Sequence, residues 1–423
     1  MKVYVFGLGH IGLPMTTWIA LQDHQVTGID INPQVVESIK NGTINIHEHY
    51  NNIHISKVAQ NLITEKKLSV HTNYNRTNSE PSVFIITVGI AALNNGFQDI
   101  SPIQNVLDTI LPTLVDEDLL LFRTTMIPGT CDKLVLPQLQ KLNKNIHLAY
   151  TPETILETRA FEEFQKNQRI LAAIDDESYS IAESFLKSLS DTKIYRASTI
   201  KTAEMVKVVQ NISRDVDIAF INELSEAASY LGVDIYELRA LVNTHPRVEL
   251  LKPGPGVGGY CLPNALRYLE EAFEDKTQVS ISLMQKARRL NDNRPQKIVE
   301  IVKSALNDIG KDIEGSTIAI VGLAMKDYCA DCRYSPALDI ASLLVDDSAK
   351  VQGYDPLVPL TYPFQVDSFL SCIKNADCIV ITAKQDHIAF DIEQICNNMN
   401  KLPVVVDTRN VFPNDPRIKL YRC

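Results

Sequence analysis

A short apolar strand, Lys2-Val-Tyr-Val-Phe6, runs straight into Gly7-Leu-Gly9-His10-Ile11-Gly12-Leu-Pro14, and Met15 to Gln22 then reads as helix. This is GxGxxG in the strand–turn–helix setting it needs, and it commits the first part of the chain to a βαβ start. Glycines at this spacing suit a tight turn, close approach of backbone to an anion and close packing of helix on strand. The next strand, Val26-Thr-Gly-Ile-Asp30, ends in an acid. A carboxylate there accepts hydrogen bonds from both ribose hydroxyls and repels a 2′-phosphate. Gly7, Gly9, His10, Ile11, Gly12 and Asp30 are therefore the expected dinucleotide residues, with NAD as cofactor. The alternative is a glycine-tight turn that binds nothing.

Strand patterns continue at Val83-Phe-Ile-Ile-Thr87, Leu119-Leu-Leu-Phe122 and His147-Leu-Ala-Tyr150, with helical stretches between them, so a parallel doubly wound sheet is expected. Two polar groups sit just past strand ends, Arg123-Thr-Thr125 and Thr151-Pro-Glu153-Thr-Ile-Leu-Glu157. Ligands of such sheets bind beyond the carboxyl ends of the strands. Thr125 is placed to hold a water there. Glu153 and Glu157 read either as acid–base groups or as helix-start acids that favour the dipole.

Near Asp191 to Ser198 the alternation gives way to helical periodicity. Thr202 to Leu231 carries apolar residues three and four apart with no proline. Lys207 and Asn211, four apart, share a face of it, and Val206, Val208 and Val209 make that stretch apolar on most sides. A further long helix is expected from about Val279 to Asn307, bent at Pro295. Between them lies Gly254-Pro-Gly256-Val-Gly258-Gly259-Tyr260-Cys261-Leu-Pro263. Four glycines in six residues predict a loop able to approach an anion, with Cys261 at the edge of a phosphate-sized hollow; the alternative is a flexible loop before a buried cysteine.

After Gly315 the alternation returns at Thr317–Leu323, Val351–Asp355, Cys378–Thr382 and Val404–Asp407, giving a second βαβ domain with Gly322 but no GxGxxG. Lys326 and Arg333 follow its first strand, as a grip for a nucleotide phosphate or as surface cations. The expected architecture is α/β, two Rossmann-like doubly wound domains joined by a central helical domain, divided at residues 1–195, 196–307 and 308–423. A length of 423 residues suits this division. No apolar run approaches the ~18 residues of a membrane span, and the opening strand has no cleavable leader, so a cytoplasmic protein is expected. Eight scattered cysteines fit a reducing compartment. Cys329 and Cys332 form one CxxC without a second pair or nearby histidines, and are read as loop residues rather than zinc ligands. A net charge of −10 disfavours nucleic acid and anionic membrane as partners.

Together these stretches resemble the UDP-glucose/GDP-mannose dehydrogenase family over essentially the whole chain. The matching pieces occur in family order: Gly7 to Pro14, Thr124-Thr125 with Pro128-Gly129-Thr130, Pro152-Glu153, Thr202-Ala-Glu-Met-Val-Lys207 with Asn211, Gly254 to Pro263, Gly322-Leu-Ala-Met-Lys326, and Arg333-Tyr-Ser-Pro-Ala337. His245-Pro-Arg247 and the glycine loop look most like the branch that oxidises UDP-N-acetylhexosamines such as UDP-N-acetylmannosamine or UDP-N-acetylglucosamine. The resemblance implies an NAD-dependent four-electron oxidation of a sugar C6 alcohol to a carboxylate, through a thiohemiacetal and a thioester on Cys261. It further implies oxyanion stabilisation by Lys207 and Asn211, a water held by Thr125, and hydrolysis assisted by Glu153, with Glu157 matching an acid found in some branches. Gly254, Gly256, Gly258, Gly259, Lys326 and Arg333 would bind the UDP-sugar. Arg247 would reach the sugar across a homodimer formed through the helical middle. The uronate product would feed a surface polysaccharide or glycan.

Two positions depart from the family pattern. Cys-x-x-x-Asp is expected after the glycine loop, and the sequence has Asn264-Ala265 there; a Thr-Pro of the NAD loop is replaced by Ile90-Ala91. A methyl group accepts neither proton nor hydrogen bond. Three alternatives follow: a compensating carboxylate such as Glu157, an enzyme impaired in one half-reaction, or a protein that binds nucleotide sugar without turnover. A two-domain β-hydroxyacid dehydrogenase shares the N-terminal GxGxxG and a helical second domain, but lacks the cysteine loop and the third domain.

Overall fold

The first strand, β1 (Lys2–Phe6), is buried along Val3–Phe6 because it lies inside a sheet covered on both faces. The structure, a computed structural model, describes residues 1–93, 96–273, 279–400 and 402–423. The strands that follow are β2 (Gln25–Ile29), β3 (His49–Tyr50), β4 (Ile53–His54), β5 (Leu68–His71), β6 (Val83–Ile86), β7 (Leu119–Phe122), β8 (His147–Tyr150), β9 (Arg169–Ala173) and β10 (Ile194–Arg196). Among the described residues they form an eight-stranded sheet of order β10-β9-β8-β7-β6-β1-β2-β5, with β3 and β4 as a separate antiparallel hairpin. The strand order turns at β1, which pairs with β2 on one side and β6 on the other. Beyond the carboxyl ends of β1 and β6 lies the crevice where open α/β sheets take their ligands.

One pairing corrects the expectation of an all-parallel sheet, for β9 runs antiparallel to β8. The stretch from Tyr150 to β9 carries only the short helix Ala160–Lys166, which returns the chain beside β8 in the opposite sense. The longer helix Asp176–Leu189 then restores a parallel pairing of β10 with β9.

By packing, the chain forms two units, one of Met1–Gln210 with the segment beginning at Arg267, the other of Asn211–Leu266 with the remainder to Cys423. The helical expectation at Thr202 to Leu231 is met by a helix Ile200–Tyr230. The expected single helix ending at Asn307 is two, Ser282–Asp292 and Arg294–Asn307. Pro295 is the cause: it stands in the first turn of the second helix, where its missing N–H costs nothing, so the chain restarts rather than bends.

The second sheet contains β11 (Thr317–Val321), β12 (Lys350–Tyr354), β13 (Cys378–Ile381), β14 (Val404–Asp407) and β15 (Lys419–Arg422), all parallel, in the order β12-β11-β13-β14-β15. Its strands alternate between two cores. Ile318 and Ile320 face Val299, Val302 and Ile340, while Ala319 and Val321 face Cys372, Ile373 and Ile395. No helix among the described residues is long and apolar enough to cross a membrane.

The first sheet carries a buried ion pair that fixes the entry to β7. Asp118, fully buried, accepts two hydrogen bonds from Arg76, at 2.6 and 3.0 Å, and the N–H groups of Ser82 and Val115. Removing one partner of such a pair leaves a buried charge uncompensated. Asp118→Ala is expected to destabilise the first unit by about 3 kcal/mol, read as an earlier first transition in thermal unfolding. An unchanged transition would mean that the pair adds nothing net.

Candidate functional site

The three glycines of the first turn differ in what surrounds them. Gly7 has φ +93°, and a Cβ there would lie 3.0 Å from the Val88 nitrogen; a Cβ on Gly12 would lie 1.8 Å from the Gly7 carbonyl oxygen. Gly9 would meet nothing within 4 Å. Gly7 and Gly12 are thus glycine for the fold, and Gly9 leaves an open approach to the backbone. Thr87 Oγ1 donates to the carbonyls of Phe6 and Gly7, at 2.8 Å each, fixing the turn from the β6 side. Helix Gly12–Leu21 starts without a side-chain cap, the Leu13 N–H turning back to the Gly9 carbonyl at 3.0 Å, and its positive end lies at this turn. His10 is exposed and Ile11 half-buried on this rim.

Asp30 closes the arrangement. Its Oδ2 accepts the Leu8 N–H at 2.8 Å and its Oδ1 the Asn32 N–H at 2.9 Å. The half-buried carboxylate keeps further lone pairs for incoming hydroxyls. An uncapped helix start, an open Gly9 and an anchored acid fit the pyrophosphate and ribose of NAD.

Past β7 and β8, Arg123 and Glu153 form a buried ion pair at 2.5 Å. The other oxygen of Glu153 accepts the N–H groups of Thr154 and Ile155, at 2.8 and 3.0 Å. Both oxygens are therefore engaged, and the carboxylate is fixed as an acceptor that shapes the turn after β8. Nearby Arg169 donates to the carbonyls of Phe164 and Leu186, and burial lowers its pKa to about 10. Thr124 is buried with Oγ1 on the Val88 carbonyl at 2.9 Å, and Thr125 is half-buried. Glu157 is half-buried beside Glu48, which accepts the N–H groups of Thr158 and Ala160. Ile90 is buried, its carbonyl accepting the Tyr268 hydroxyl at 3.3 Å.

On helix Ile200–Tyr230, Lys207 is half-buried and Asn211 buried. The expectation of apolar surroundings on most sides needs correction: Val208 is buried, but Val209 is 41 % exposed. Three residues before Lys207 stands Glu204, fully buried, with its carboxyl pKa pushed up by burial. It accepts the Gly129 N–H at 2.5 Å and the Cys131 N–H at 2.9 Å, tying the Lys207 helix to the loop that leads away from Thr125. The sequence reading passed over Glu204, whose partners lie more than seventy residues away.

The cysteine loop is packed rather than hollow. A Cβ on Gly258 would lie 2.6 Å from the Tyr334 carbonyl and 2.8 Å from Met325, and one on Gly259 would lie 2.5 Å from the Met325 sulfur; Gly256 fits against Pro336 and Pro295. The Gly254 N–H goes to Asn222 and the Gly259 N–H to the Arg333 carbonyl. Missing side chains signalled close approach, and here the approaching atoms are protein. Cys261 opens helix Cys261–Ala272 and is the exposed one of the eight cysteines. The positive helix end there favours a developing negative charge on a bound carbonyl oxygen. Burial raises the thiols of Cys332 and Cys372 to about 11 and about 12, which leaves them poor nucleophiles. Ala265, one turn into the helix, is 2 % exposed.

Lys326 is half-buried in the loop after β11, and Arg333 is exposed with its guanidinium on Asp331 at 2.6 Å. A further cation missed by sequence reading is Arg409, just past β14. It pairs with Asp327, and a Cβ on Gly254 would lie 3.2 Å from its Nη1. Its only sequence signal is a place beyond a strand end. Arg247 is exposed in the turn after helix Ile235–Val242. Cys329 and Cys332 are half-buried in the loop after β11, and the described residues contain no cluster of metal-ligating side chains.

Three family models of the UDP-glucose/GDP-mannose dehydrogenase family match the chain: the NAD binding domain at residues 1–190, the central domain at 201–293 and the UDP binding domain at 319–414. A UDP-N-acetyl-D-mannosamine dehydrogenase of Methanococcus maripaludis is 34 % identical, covering 98 % of this chain and 94 % of its own. Among solved structures, the UDP-D-ManNAc dehydrogenase of Pyrococcus horikoshii aligns with a TM-score of 0.91 at 29 % identity, over 100 % of this chain and 99 % of the other. The UDP-N-acetyl-mannosamine dehydrogenase Cap5O of Staphylococcus aureus aligns at 0.85 and 29 %, over 100 % and 98 %.

The contrast between Gly9 and Gly12 gives a direct test of the cofactor turn. Gly9→Ala is expected to leave the melting temperature unchanged and to abolish the thermal shift caused by NAD. Gly12→Ala is expected to lower the melting temperature without any ligand, since its methyl meets backbone. If Gly9→Ala retains the full shift, the pyrophosphate does not pass over that residue.

Proposed function

The chain belongs to the UDP-glucose/GDP-mannose dehydrogenase family, and from that premise we propose that it oxidises the C6 alcohol of a UDP-N-acetylhexosamine to the uronate. The observation that carries this reading is Cys261, the exposed thiol at a helix start behind a packed glycine loop. The N-acetylhexosamine assignment draws on the relatives, whose names specify UDP-N-acetylmannosamine.

NAD+, held by the Gly7–Gly12 turn and Asp30, supplies the hydride acceptor for each of the two oxidations. Loss of hydride from C6 and of the hydroxyl proton gives an aldehyde. The Cys261 thiolate adds to the carbonyl carbon, and the oxyanion takes a proton to give a thiohemiacetal. The second oxidation removes hydride and that hydroxyl proton, leaving a thioester. Water then attacks, the C–S bond breaks, and the uronate leaves with the thiolate restored. Lys207 and Asn211 stabilise the oxyanions with preorganised charge and donors, and Thr125 orients the water. Glu153, held by Arg123 and two N–H groups, assists hydrolysis from a fixed position, and Glu157 is a second acid for proton transfer. Lys326, Arg333 and the loop from Gly254 to Gly259 bind the UDP-sugar.

A homodimer is part of the proposal. Tyr230 and Leu231, 91 % and 72 % exposed, leave apolar side chains uncovered at the end of helix Ile200–Tyr230. Exposed apolar patches of this kind mark association surfaces. Arg247, exposed nearby in sequence, reaches the partner's sugar. The product uronate would serve a surface glycan.

Ala265 favours a second reading, a family member impaired in hydrolysis or binding without turnover, because a methyl stands where the family places an acid. NADH formation with UDP-N-acetylmannosamine, UDP-N-acetylglucosamine, UDP-glucose and GDP-mannose separates the two. The expected result is two NADH per sugar with a UDP-N-acetylhexosamine, and none after Cys261→Ser. One NADH pair per active site followed by a stall puts the defect at thioester hydrolysis. No NADH with any sugar, alongside thermal stabilisation by UDP-sugars, leaves the binding protein.

A further inference from the structure

Arg294 is 2 % exposed and heads the fully buried side chains by volume. Its three polar ends are all taken: Nε donates to the Gly254 carbonyl at 3.1 Å, Nη1 to Glu226 at 2.8 Å and Nη2 to Ser225 Oγ at 3.1 Å. The Gly254 N–H donates to Asn222 Oδ1 at 2.9 Å. Both backbone groups of Gly254 therefore end on side chains. Asn222, Ser225 and Glu226 belong to helix Ile200–Tyr230, and Arg294 opens the helix that follows the break at Asn293.

The gripping face of the long helix also carries Asn211, about three turns before Asn222. Between them Asp215 accepts Arg288 Nη1 at 2.6 Å and Asn291 Nδ2 at 2.9 Å, so helix and corner are joined along a buried polar ladder. The ladder ends at Gly254. At its far end the loop is held again, by the Gly259 N–H on the Arg333 carbonyl and by Gly258 beneath Tyr334 and Met325. Cys261 follows directly.

Stability alone does not account for a buried guanidinium. Desolvating it is costly, and an apolar side chain of similar volume often stabilises as well or better. What the guanidinium supplies is direction, since its planar fork fixes one carbonyl against two helix side chains. We propose that Arg294, with Asn222, is a positioning residue that sets the register of the reactive-cysteine loop on the helix carrying Asn211. The turnover part of this inference rests on the dehydrogenase reading; the placement of the thiol does not.

The test uses Arg294→Met and Arg294→Lys in the full chain, with three readouts: melting temperature, the rate at which iodoacetamide alkylates Cys261 as followed on its peptide by mass spectrometry, and kcat and KM with the active sugar. Misplacing a reacting group by about 1 Å costs about 10²-fold. Arg294→Met is expected to lose about that much kcat, with the KM for NAD unchanged, and to change the alkylation rate several-fold; Arg294→Lys restores part of both. Altered melting temperature with alkylation and kcat unchanged overturns the proposal and leaves a structural role. Should Arg294→Met fail to fold, Asn222→Ser shortens the other arm of the clamp, and the same two shifts are expected in smaller measure. Wild-type protein without turnover sinks the dehydrogenase reading, and the alkylation comparison then decides the clamp by itself.

Discussion

Both sheets depend on one local device: a carboxylate at the end of the second strand holds the turn that follows the first. In the first unit Asp30 accepts the Leu8 N–H at 2.8 Å, and in the second Asp355 accepts the Leu323 N–H at the same distance. Gly7 and Gly322 share φ +93°, and Thr87 and Thr382 each donate to the carbonyls of the turn glycine and of the residue before it. Even the crossing glycines correspond, since a Cβ on Gly28 would strike Leu8 and one on Gly353 would touch Leu323. The chain uses the same solution twice, and the copies differ where ligand chemistry differs. Asp30 is left half-buried. Asp355 is 3 % exposed, accepting also the Ala324 N–H and Gln385 Nε2 at 3.0 Å. A sealed acid cannot take a ribose diol as an open one can, so the second sheet must hold its ligand by other groups, and Lys326 and Arg409 stand past its strand ends.

What was legible in the sequence follows from range. The first turn, its acid and the strands beside it are specified by residues close in sequence, and periodicity finds them. The direction of β9 is not local; it depends on a short connection returning beside β8, and Arg169–Ala173 reads no differently for running one way or the other. The glycine loop shows the same limit. Four missing Cβ atoms announce close approach but not by what, and here Met325, Tyr334 and Pro336 fill the space. Glu153 reads from sequence as an acid–base group or a helix-start acid, and its ion pair with Arg123, thirty residues earlier, carries no sequence mark. Glu204, Arg294 and Arg409 were passed over for that reason, each being defined by contacts that only folding creates.

Three buried charges in this protein tie down the segments that carry candidate site residues. Glu204 ties the helix of Lys207 to the loop after Thr125, Arg123 ties Glu153, and Arg294 ties the loop of Cys261. Burial pushes the Glu204 carboxyl up, and Asp215 is raised likewise although Arg288 and Asn291 draw it back. Apolar cores hold the two sheets together without such cost. Buried charges of this kind make sense as devices that fix direction, because an apolar contact holds a distance but tolerates rotation.

That reasoning bears on Ala265. An acid at a position 2 % exposed would be one more buried charge, and it would need partners of its own. Its neighbour Asn264 donates its Nδ2 to the Tyr260 carbonyl at 2.8 Å, holding the residue before Cys261. A chain that lacked any use for its thiol would have no need to clamp Gly254 at both backbone groups. What the structure holds at this loop is direction: the Gly254 N–H on Asn222 and its carbonyl on Arg294 fix the peptide against one helix face.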